Sequence, residues 1–129
     1  MSNLATSISN MLLSSGFPNV FPRKPSALDC AEPIVVTEGA FVRESRLTEE
    51  ERGSVPVTVM VVREVAGDAE TVAIAAERAV RRTEWEPYAD ARSHRIVGID
   101  TTAPAFKERD ASGRYMWAFD VTCTVVRSL

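Results

Sequence analysis

The segment from Arg114 to Arg127 constrains the fold of this chain more than any other part of the sequence. Alternate positions in it are apolar: Tyr115, Trp117, Phe119, Val121, Cys123 and Val125. The positions between them include Asp120, Thr122 and Thr124, so the pattern has a period of two and predicts a β-strand with one buried and one mixed face. At about 3.3 Å per residue this strand would run roughly 40 Å, whereas a usual strand has about 5 or 6 residues. We therefore expect its surplus length to pair or pack outside its own domain.

Length and composition indicate one globular domain spanning residues 1–129. Apolar residues make up 45% and charged residues 26% of the chain, which argues against disorder and against a coiled coil. The net charge of −3 lacks the basic excess of a nucleic-acid binder, although a weakly acidic wall suits a channel through which DNA moves without sticking. We expect no membrane span, because no apolar run is long enough, and no signal peptide, because the N-terminal residues lack a basic region.

Two segments have the periodicity of helices. Residues 3–15 carry apolar side chains at helical spacing and precede Gly16, which predicts a short amphipathic helix. A second helix is predicted to open at Gly67 and Asp68, with Asp68 as its N-cap. Its apolar face is predicted to comprise Val72, Ala75, Ala76, Ala79 and Val80. Small alanines allow this helix to approach a sheet closely.

The rest of the chain predicts a mostly antiparallel sheet. Residues 17–33 form a proline-rich connector, which we expect to run extended over the surface because proline excludes helix and central strand. Strands are predicted at residues 33–36, 40–45, 55–64 and 95–101. A bulge or tight turn is predicted at Glu38 and Gly39. The overall prediction is an α+β fold with two helices packed against the sheet.

Two of these strands carry specific expectations about burial. The strand at residues 55–64 has apolar residues on both faces, so we expect a central strand covered on two sides. In the strand at residues 95–101, Val97 and Ile99 are predicted to face inward. A turn is predicted at residues 85–88, which include Trp85, Pro87 and Tyr88.

Two polar stretches are candidates for contacts with a partner. Residues 46–53 form a charged run, for which a solvated hairpin tip or a short helical turn is favoured over a docking surface. Residues 102–113 are predicted to be a long loop, and loops of this size tend to be functional or mobile. Phe106 within it could fold back on the core or anchor a partner. We expect a chain lacking residues 103–112 to fold normally.

The sequence contains no motif for catalysis, a cofactor or a metal. The carboxylate pairs, Glu49 with Glu50 and Glu108 with Asp110, lie in polar runs where ordinary solvation explains them. His94 stands without a nucleophile in a recognisable elbow. Cys30 and Cys123 are predicted to be reduced core residues, because neither has a second cysteine nearby. Compensation of the helix dipole explains Arg78, Arg81 and Arg82 more simply than an anion site does.

Residues 94–126 resemble minor structural proteins encoded in the late-gene clusters of phages and prophages, of the tail terminator or minor capsid type. The resemblance rests on Arg95-Ile-Val-Gly-Ile-Asp, Thr101-Thr-Ala-Pro-Ala-Phe and Gly113-Arg-Tyr-Met-Trp-Ala-Phe-Asp, with a looser likeness over residues 37–46. The family has no catalytic motif. The resemblance therefore implies a structural virion protein and no enzyme.

What the resemblance implies is a ring, of six copies, on the head-proximal end of a tail tube. This ring would stop the growth of the tube and join it to head-completion or neck proteins. The implied partners are other copies of the chain, the tail tube protein and a head-completion protein, with DNA passing through the lumen and no membrane contact. The protein would be located in the virion after assembly in the cytoplasm of a bacterial host. A strand too long for its own domain fits this role, since it can add to a neighbour's sheet.

The two polar stretches would supply the axial contacts of such a ring. The residues predicted to make them are Phe106, Lys107, Glu108, Arg109, Asp110, Arg46, Glu49, Glu50 and Arg52. Two other interpretations stay open. One is a head-completion, neck or minor capsid protein of the same particle, and the other is a cytosolic α+β binding domain or small enzyme.

Overall fold

The structure is a computed structural model and describes residues 4–46, 49–83 and 94–128. In chain order the elements are α1 (Leu4–Ser14), β1 (Val20–Phe21), β2 (Ile34–Glu38), β3 (Val42–Arg46), β4 (Glu50–Arg63), α2 (Ala66–Arg82), β5 (His94–Thr101), β6 (Ala105–Arg109) and β7 (Tyr115–Ser128). Within these residues, all strands belong to one sheet in which every pair except β1 with β2 is antiparallel. The predicted α+β class is confirmed.

Two long strands, β4 and β7, form the middle of the sheet. They pair without interruption over 14 residues, from Glu50 opposite Ser128 to Arg63 opposite Tyr115. The short strands β2 and β3 follow one another along the outer edge of β4, and β5 and β6 do the same along the outer edge of β7. We call the β4/β7 pair the central ribbon.

The prediction that the C-terminal strand extends beyond its own domain is wrong. β6 pairs with residues 115–118 of β7 and β5 with residues 121–127, and between them Thr102 N–H donates to the Asp120 carbonyl at 2.9 Å. Both edges of β7 are therefore occupied inside its own chain. The length argument failed because β4 is equally long, beginning at Glu50 instead of Val55, and because the predicted loop contains β6.

Both helices pack on the same face of the sheet. The core lies between this face and the helices. The core residues of the central ribbon are Val55, Val57, Val59, Val61, Phe119, Val121, Cys123 and Val125. From the helices come Leu4, Ile8, Leu12, Ala73, Ala76 and Val80. The period of two therefore marks the buried face correctly from Phe119 onward, whereas Tyr115 and Trp117 are only partly buried.

The opposite face of the sheet is covered at one end only. Val62 and Met116, which are cross-strand partners, are buried there. Further along the ribbon Thr58 and Asp120 are exposed, and the Thr58 hydroxyl donates to the Asp120 carboxylate at 3.0 Å. The predicted two-sided cover of β4 thus holds for its C-terminal end and is wrong for the rest.

Helix α1 matches its prediction, but two details of α2 were wrong. The helix begins at Ala66 after Val65, which has extended backbone and makes no side-chain cap bond, so Asp68 lies in the first turn and is not the N-cap. A carboxylate there still suits the positive end of the helix dipole. Its buried positions are Ala69, Ala73, Ala76, Glu77 and Val80, whereas Ala75 is exposed. The face in contact with the sheet is therefore rotated from the predicted one.

A bulge in β5 reverses the prediction for Val97. Ile96 pairs with Val125 and Gly98 with Thr124, so Val97 is an extra residue without a partner on β7. Ile96 is consequently buried and Val97 is 41% exposed, while Ile99 is partly buried against the core as predicted. One inserted residue changes which side chain faces inward.

The break predicted at Glu38 and Gly39 is the step from β2 to β3. Gly39 N–H donates to the Pro56 carbonyl at 2.7 Å, at the seam where β2 ends and β3 has not begun. The missing N–H of Pro56 falls at this seam, which explains how a central strand accommodates a proline. The connector is extended only in part: Val20–Phe21 form β1, and Phe17 and Val20 pack on the core. Residues 27–29 form a turn in which Asp29 N–H and Cys30 N–H donate to the Ser26 carbonyl, so the prediction is wrong there. The turn predicted at residues 85–88 lies outside the described residues.

Candidate interaction surface

The predicted contact residues fall into two groups at opposite ends of the central ribbon. One group lies where β3 and β4 pair as a hairpin, and we call its described residues, 43–46 and 49–52, the first tip. The other lies in the β6–β7 hairpin, the second tip (residues 105–115). The strand directions place the first tip at the Glu50–Ser128 end and the second at the Arg63–Tyr115 end. At about 3.3 Å per residue, the two ends of the ribbon are roughly 40 Å apart.

An aromatic cluster occupies the second tip. The ring of Phe106 meets that of Trp117 edge-on at a centroid distance of 6.3 Å, and it lies 6.5 Å from the ring of Tyr115. The Arg109 guanidinium lies 4.7 Å above the Tyr115 ring. Trp117 packs on the core, while Phe106 is 49% exposed. Phe106 thus both folds back onto the protein and presents half of its surface to solvent.

The prediction that residues 102–113 form a loop is wrong. Residues 105–109 are strand β6, which pairs with β7 and has every side chain exposed. Lys107 is an extra, bulged residue between Phe106 and Glu108. A strand that buries neither face shows no alternation of apolar and polar residues, so periodicity could not identify it.

Asp110 holds the turn of the second tip. Its carboxylate accepts from Arg114 Nε at 2.7 Å, from Arg114 N–H at 2.8 Å, from Ser112 N–H at 3.0 Å and from Lys24 Nζ at 2.8 Å. Burial opposes ionisation of this carboxyl, but the bonds from Lys24 and Arg114 outweigh it and hold its pKa well below the usual range. The side chain is only 5% exposed, so its oxygens serve the turn.

Arg114 extends the same network to the connector. Its Nη1 donates to the carbonyls of Cys30 at 3.0 Å and Ala31 at 3.2 Å, and the residue is 4% exposed. Sequence reasoning missed this buried arginine. The available signal was a turn with Asp at its first and Gly at its last position, and the Gly113 N–H does donate to the Asp110 carbonyl at 2.9 Å.

A second buried carboxylate organises the first tip. Glu51, 6% exposed, accepts from Arg127 Nε and lies 3.9 Å from Arg43 Nη1. The Arg127 guanidinium lies 3.8 Å above the ring of Phe41. Sequence reasoning singled out its neighbours Glu50 and Arg52 and missed Glu51, although Glu51 shares the parity of Val55 and Val57 and so belongs to the buried face.

The predicted residues of the first tip are more exposed than Glu51. Arg46, Glu49 and Arg52 are exposed, and Glu50 is half-buried with its carboxylate 3.3 Å from Arg95 Nη2. Glu50 and Arg52 belong to strand β4, so the helical turn considered for this run is wrong and the hairpin interpretation is confirmed.

Other titratable groups have structural partners. Burial opposes ionisation of Glu77, but hydrogen bonds from Arg81 and Thr101 outweigh it and lower its pKa. Burial raises the pKa of the Cys123 thiol to about 12, and neither Cys123 nor Cys30 forms a disulfide. Cys30 is only partly buried. Across the described ranges, no three His, Cys, Asp or Glu side chains are grouped to hold a metal ion. No described helix is long and apolar enough to cross a membrane.

Comparisons with known proteins relate this chain to a virion component. No protein-family model and no curated protein sequence matches it. Among solved structures, a chain described as part of the virion of a native gene transfer agent particle matches with a TM-score of 0.55 and 14% sequence identity. The match covers 98% of this chain and 95% of that chain. At this identity the likeness shows a shared fold from end to end.

Proposed function

We propose that this chain is a structural protein of a phage-like virion and acts as its tail terminator. It closes the head-proximal end of the tail tube as a ring of identical subunits, with six copies expected, and joins the tube to head-completion proteins. The observation that carries the proposal is the likeness in fold, over nearly the whole of both chains, to a component of a gene transfer agent virion.

The arrangement of the two tips is consistent with a protein that connects two different partners. They lie at opposite ends of a rigid ribbon, so one subunit can contact the tube with one tip and the head with the other. A terminator needs two different axial faces, and the tips differ chemically. The second tip presents the half-exposed ring of Phe106, whereas the first presents the charged side chains of Arg46, Glu49 and Arg52.

The second tip is the better candidate for the contact with the tube. Exposed aromatic side chains supported by a packed neighbour are the residues that most often dominate protein interfaces. Phe106 has that support from Trp117, and the exposed Lys107 and Arg109 of the same strand can contribute to a polar rim. Asp110 and Arg114 fix the turn, so little ordering is needed on binding.

The face of the sheet opposite the helices suits the wall of a lumen. Thr58, Asp120 and Thr122 are exposed there, and the chain as a whole has a net charge of −3. A polar surface without a basic excess lets DNA pass with little electrostatic attraction. In the ring, helices α1 and α2 would then face outward.

Tail length tests the proposal. Phe106→Ser is introduced into the gene of a particle-producing strain, and tails are measured by negative-stain electron microscopy. We expect overlong tails or free tubes, because tube growth is no longer stopped. Ile74→Ser is the matched control, since Ile74 is 40% exposed on α2 and belongs to neither tip.

The outcomes distinguish the candidate roles. Overlong tails in Phe106→Ser alone support the terminator. Tails of normal length with heads that fail to join them would indicate a head-completion protein and contradict the terminator role. Particles of normal number and tail length would remove the second tip from the mechanism and contradict the proposal.

A further inference from the structure

Three outer strands of the sheet carry bulges, and the bulged residues differ in kind. They are Glu44 in β3, Val97 in β5 and Lys107 in β6. Bulges and charged side chains are the devices by which edge strands avoid pairing with other molecules. β6 combines both devices over three consecutive charged residues, whereas β5 places an apolar residue at its bulge and β3 begins with an exposed one, Val42. The exposed Val97 therefore marks β5 as the least protected of these three strands.

A second exposed valine lies on the opposite edge of the sheet. It is at the same height, by which we mean the same level along the direction of the strands. Val42 of β3 is 56% exposed, against 41% for Val97. Val42 pairs with Ser54, Ser54 with Thr124, and Thr124 with Gly98, the residue that follows Val97. Within the described residues, no segment pairs with the outer edges of β3 and β5.

The directions of the two strands permit pairing between copies. β3 is antiparallel to β4 and β5 is antiparallel to β7, and β4 and β7 are antiparallel to each other. β3 and β5 therefore run in opposite directions. A rotation about an axis along the central ribbon preserves the height of every residue, so it brings β5 of one copy beside β3 of the next as antiparallel neighbours.

We propose that β5 of each copy pairs edge-to-edge with β3 of the next copy, with Val97 packed against Val42. This inference rests on the ring of the proposed function and names the surfaces that close it. One pair of opposite charges falls at this contact, because Glu44 of β3 lies beside the level of Arg95 of β5, which also pairs with Glu50 of its own chain. The contact joins two different edges, so it can repeat from copy to copy around a closed ring.

A disulfide between these positions can only form between copies. Within one chain β4 and β7 separate β3 from β5, which puts the two edges about 14 Å apart at roughly 4.8 Å per strand spacing. A disulfide requires Cα atoms closer than about 7 Å. The test variant carries Val42→Cys and Val97→Cys together with Cys30→Ser, and leaves Cys123 in place because it is fully buried.

The experiment oxidises this full-length variant and compares denaturing gels without reductant with light scattering of the native sample. We expect a covalent ladder that reaches the mass of the assembly. Either cysteine alone gives no ladder, nor does the pair Val42→Cys with Phe106→Cys, whose positions lie toward opposite ends of the ribbon. If the native assembly keeps its mass but no covalent ladder forms, the contact between β3 and β5 is wrong, whereas the proposed ring is not contradicted. A chain that stays monomeric without a ladder, also in the presence of tube protein, contradicts both.

A charge at the bulge gives an independent test. Val97→Lys places a charge in the contact with Val42, so we expect at least about tenfold weaker self-association with an unchanged thermal melt. Ile74→Lys, the same change at an exposed residue of α2, should leave assembly intact. Adding Val42→Glu to Val97→Lys should recover assembly through the new charge pair. Self-association that is equal in Val97→Lys and in the unchanged protein overturns the inference.

Discussion

The carboxylate of Asp110 and the guanidinium of Arg114 form an ion pair with an Nε–Oδ2 distance of 2.7 Å, and both side chains are 5% exposed. Lys24 of the connector completes the pair from the other side at 2.8 Å. One buried carboxylate thus joins the turn of the second tip to the proline-rich segment that runs across the sheet. Phe106 lies four residues before Asp110, on the strand that leads into this turn.

Acid should weaken the protein through Asp110. The fold holds the pKa of this carboxyl below its unfolded value of about 3.9, so its contribution to stability is complete above that pH and is lost as the pH falls toward the lowered folded pKa. Asp110→Asn should cost about 3 kcal/mol of unfolding free energy at neutral pH, as expected when one partner of a buried pair is removed. Urea denaturation at several pH values measures this, and the difference between the two proteins should narrow in acid.

Exposed carboxylates provide the control for that series. Glu49→Gln removes a charge at an exposed position of the first tip and should change the unfolding free energy by less than about 0.5 kcal/mol at any pH. A constant difference between Asp110→Asn and the unchanged protein from neutral to acidic pH would show that the lost charge is not the cause.

Gly53 is required by the packing of the first tip. A Cβ atom at this position would lie 2.2 Å from the Val42 carbonyl oxygen and 2.6 Å from Cζ of Phe41. Backbone cannot move aside as a flexible side chain can, so Gly53→Ala should destabilise the protein by about 1 to 3 kcal/mol. Gly67→Ala is the matched control, because a Cβ at Gly67 meets nothing within 4 Å and Gly67 lies in the first turn of α2. Alanine favours helix, so that variant should be equally or more stable. Equal destabilisation in both variants would contradict this account.

Periodicity predicted the elements that bury one face and missed β6, which buries none. β7 and the second half of β4 alternate clearly, and the fold class followed from them. β6 has no buried side chain, and a sequence of exposed residues is the same in a loop and in an edge strand. Val97 was misplaced because a bulge depends on the partner strand, which the local pattern does not contain. The argument from surplus strand length failed for the same reason, since it required knowing the lengths of the neighbours.

Exposure and burial separate two residues that the sequence placed in one candidate site. Phe106 was singled out because a large apolar side chain among charges is unusual; its side chain is 49% exposed, and its contact with a partner stays a prediction. Asp110 was placed in the same group because its neighbours are charged, yet its carboxylate is buried by Lys24 and Arg114. Lys24 is 86 positions away in sequence, and nothing local indicates a partner at that distance.

The two cysteines should react differently with a thiol reagent. Cys123 is fully buried and its thiol has a pKa raised by burial to about 12, so it should remain unmodified in the native protein. Cys30 is partly buried and should react first. Counting modified thiols by mass spectrometry before and after denaturation gives one and two, respectively. Modification of Cys123 in the Cys30→Ser variant at a rate above that of global unfolding would contradict the buried position of β7.

Removal of residues 103–112 should prevent folding, contrary to the expectation from sequence. The deletion removes β6 and leaves residues 115–118 of β7 with an unpaired edge. It also removes Asp110, so the buried guanidinium of Arg114 loses its carboxylate, which alone costs about 3 to 5 kcal/mol. That is a large part of the roughly 5 to 15 kcal/mol that stabilises an ordinary domain. Phe106→Ser keeps both features and should fold with a loss of about 1 to 2 kcal/mol, because half of the ring is already in solvent. Thermal unfolding of both variants, followed by circular dichroism, measures these effects. A cooperative transition of the deletion variant at nearly the temperature of the unchanged protein would show that the sheet does not require β6.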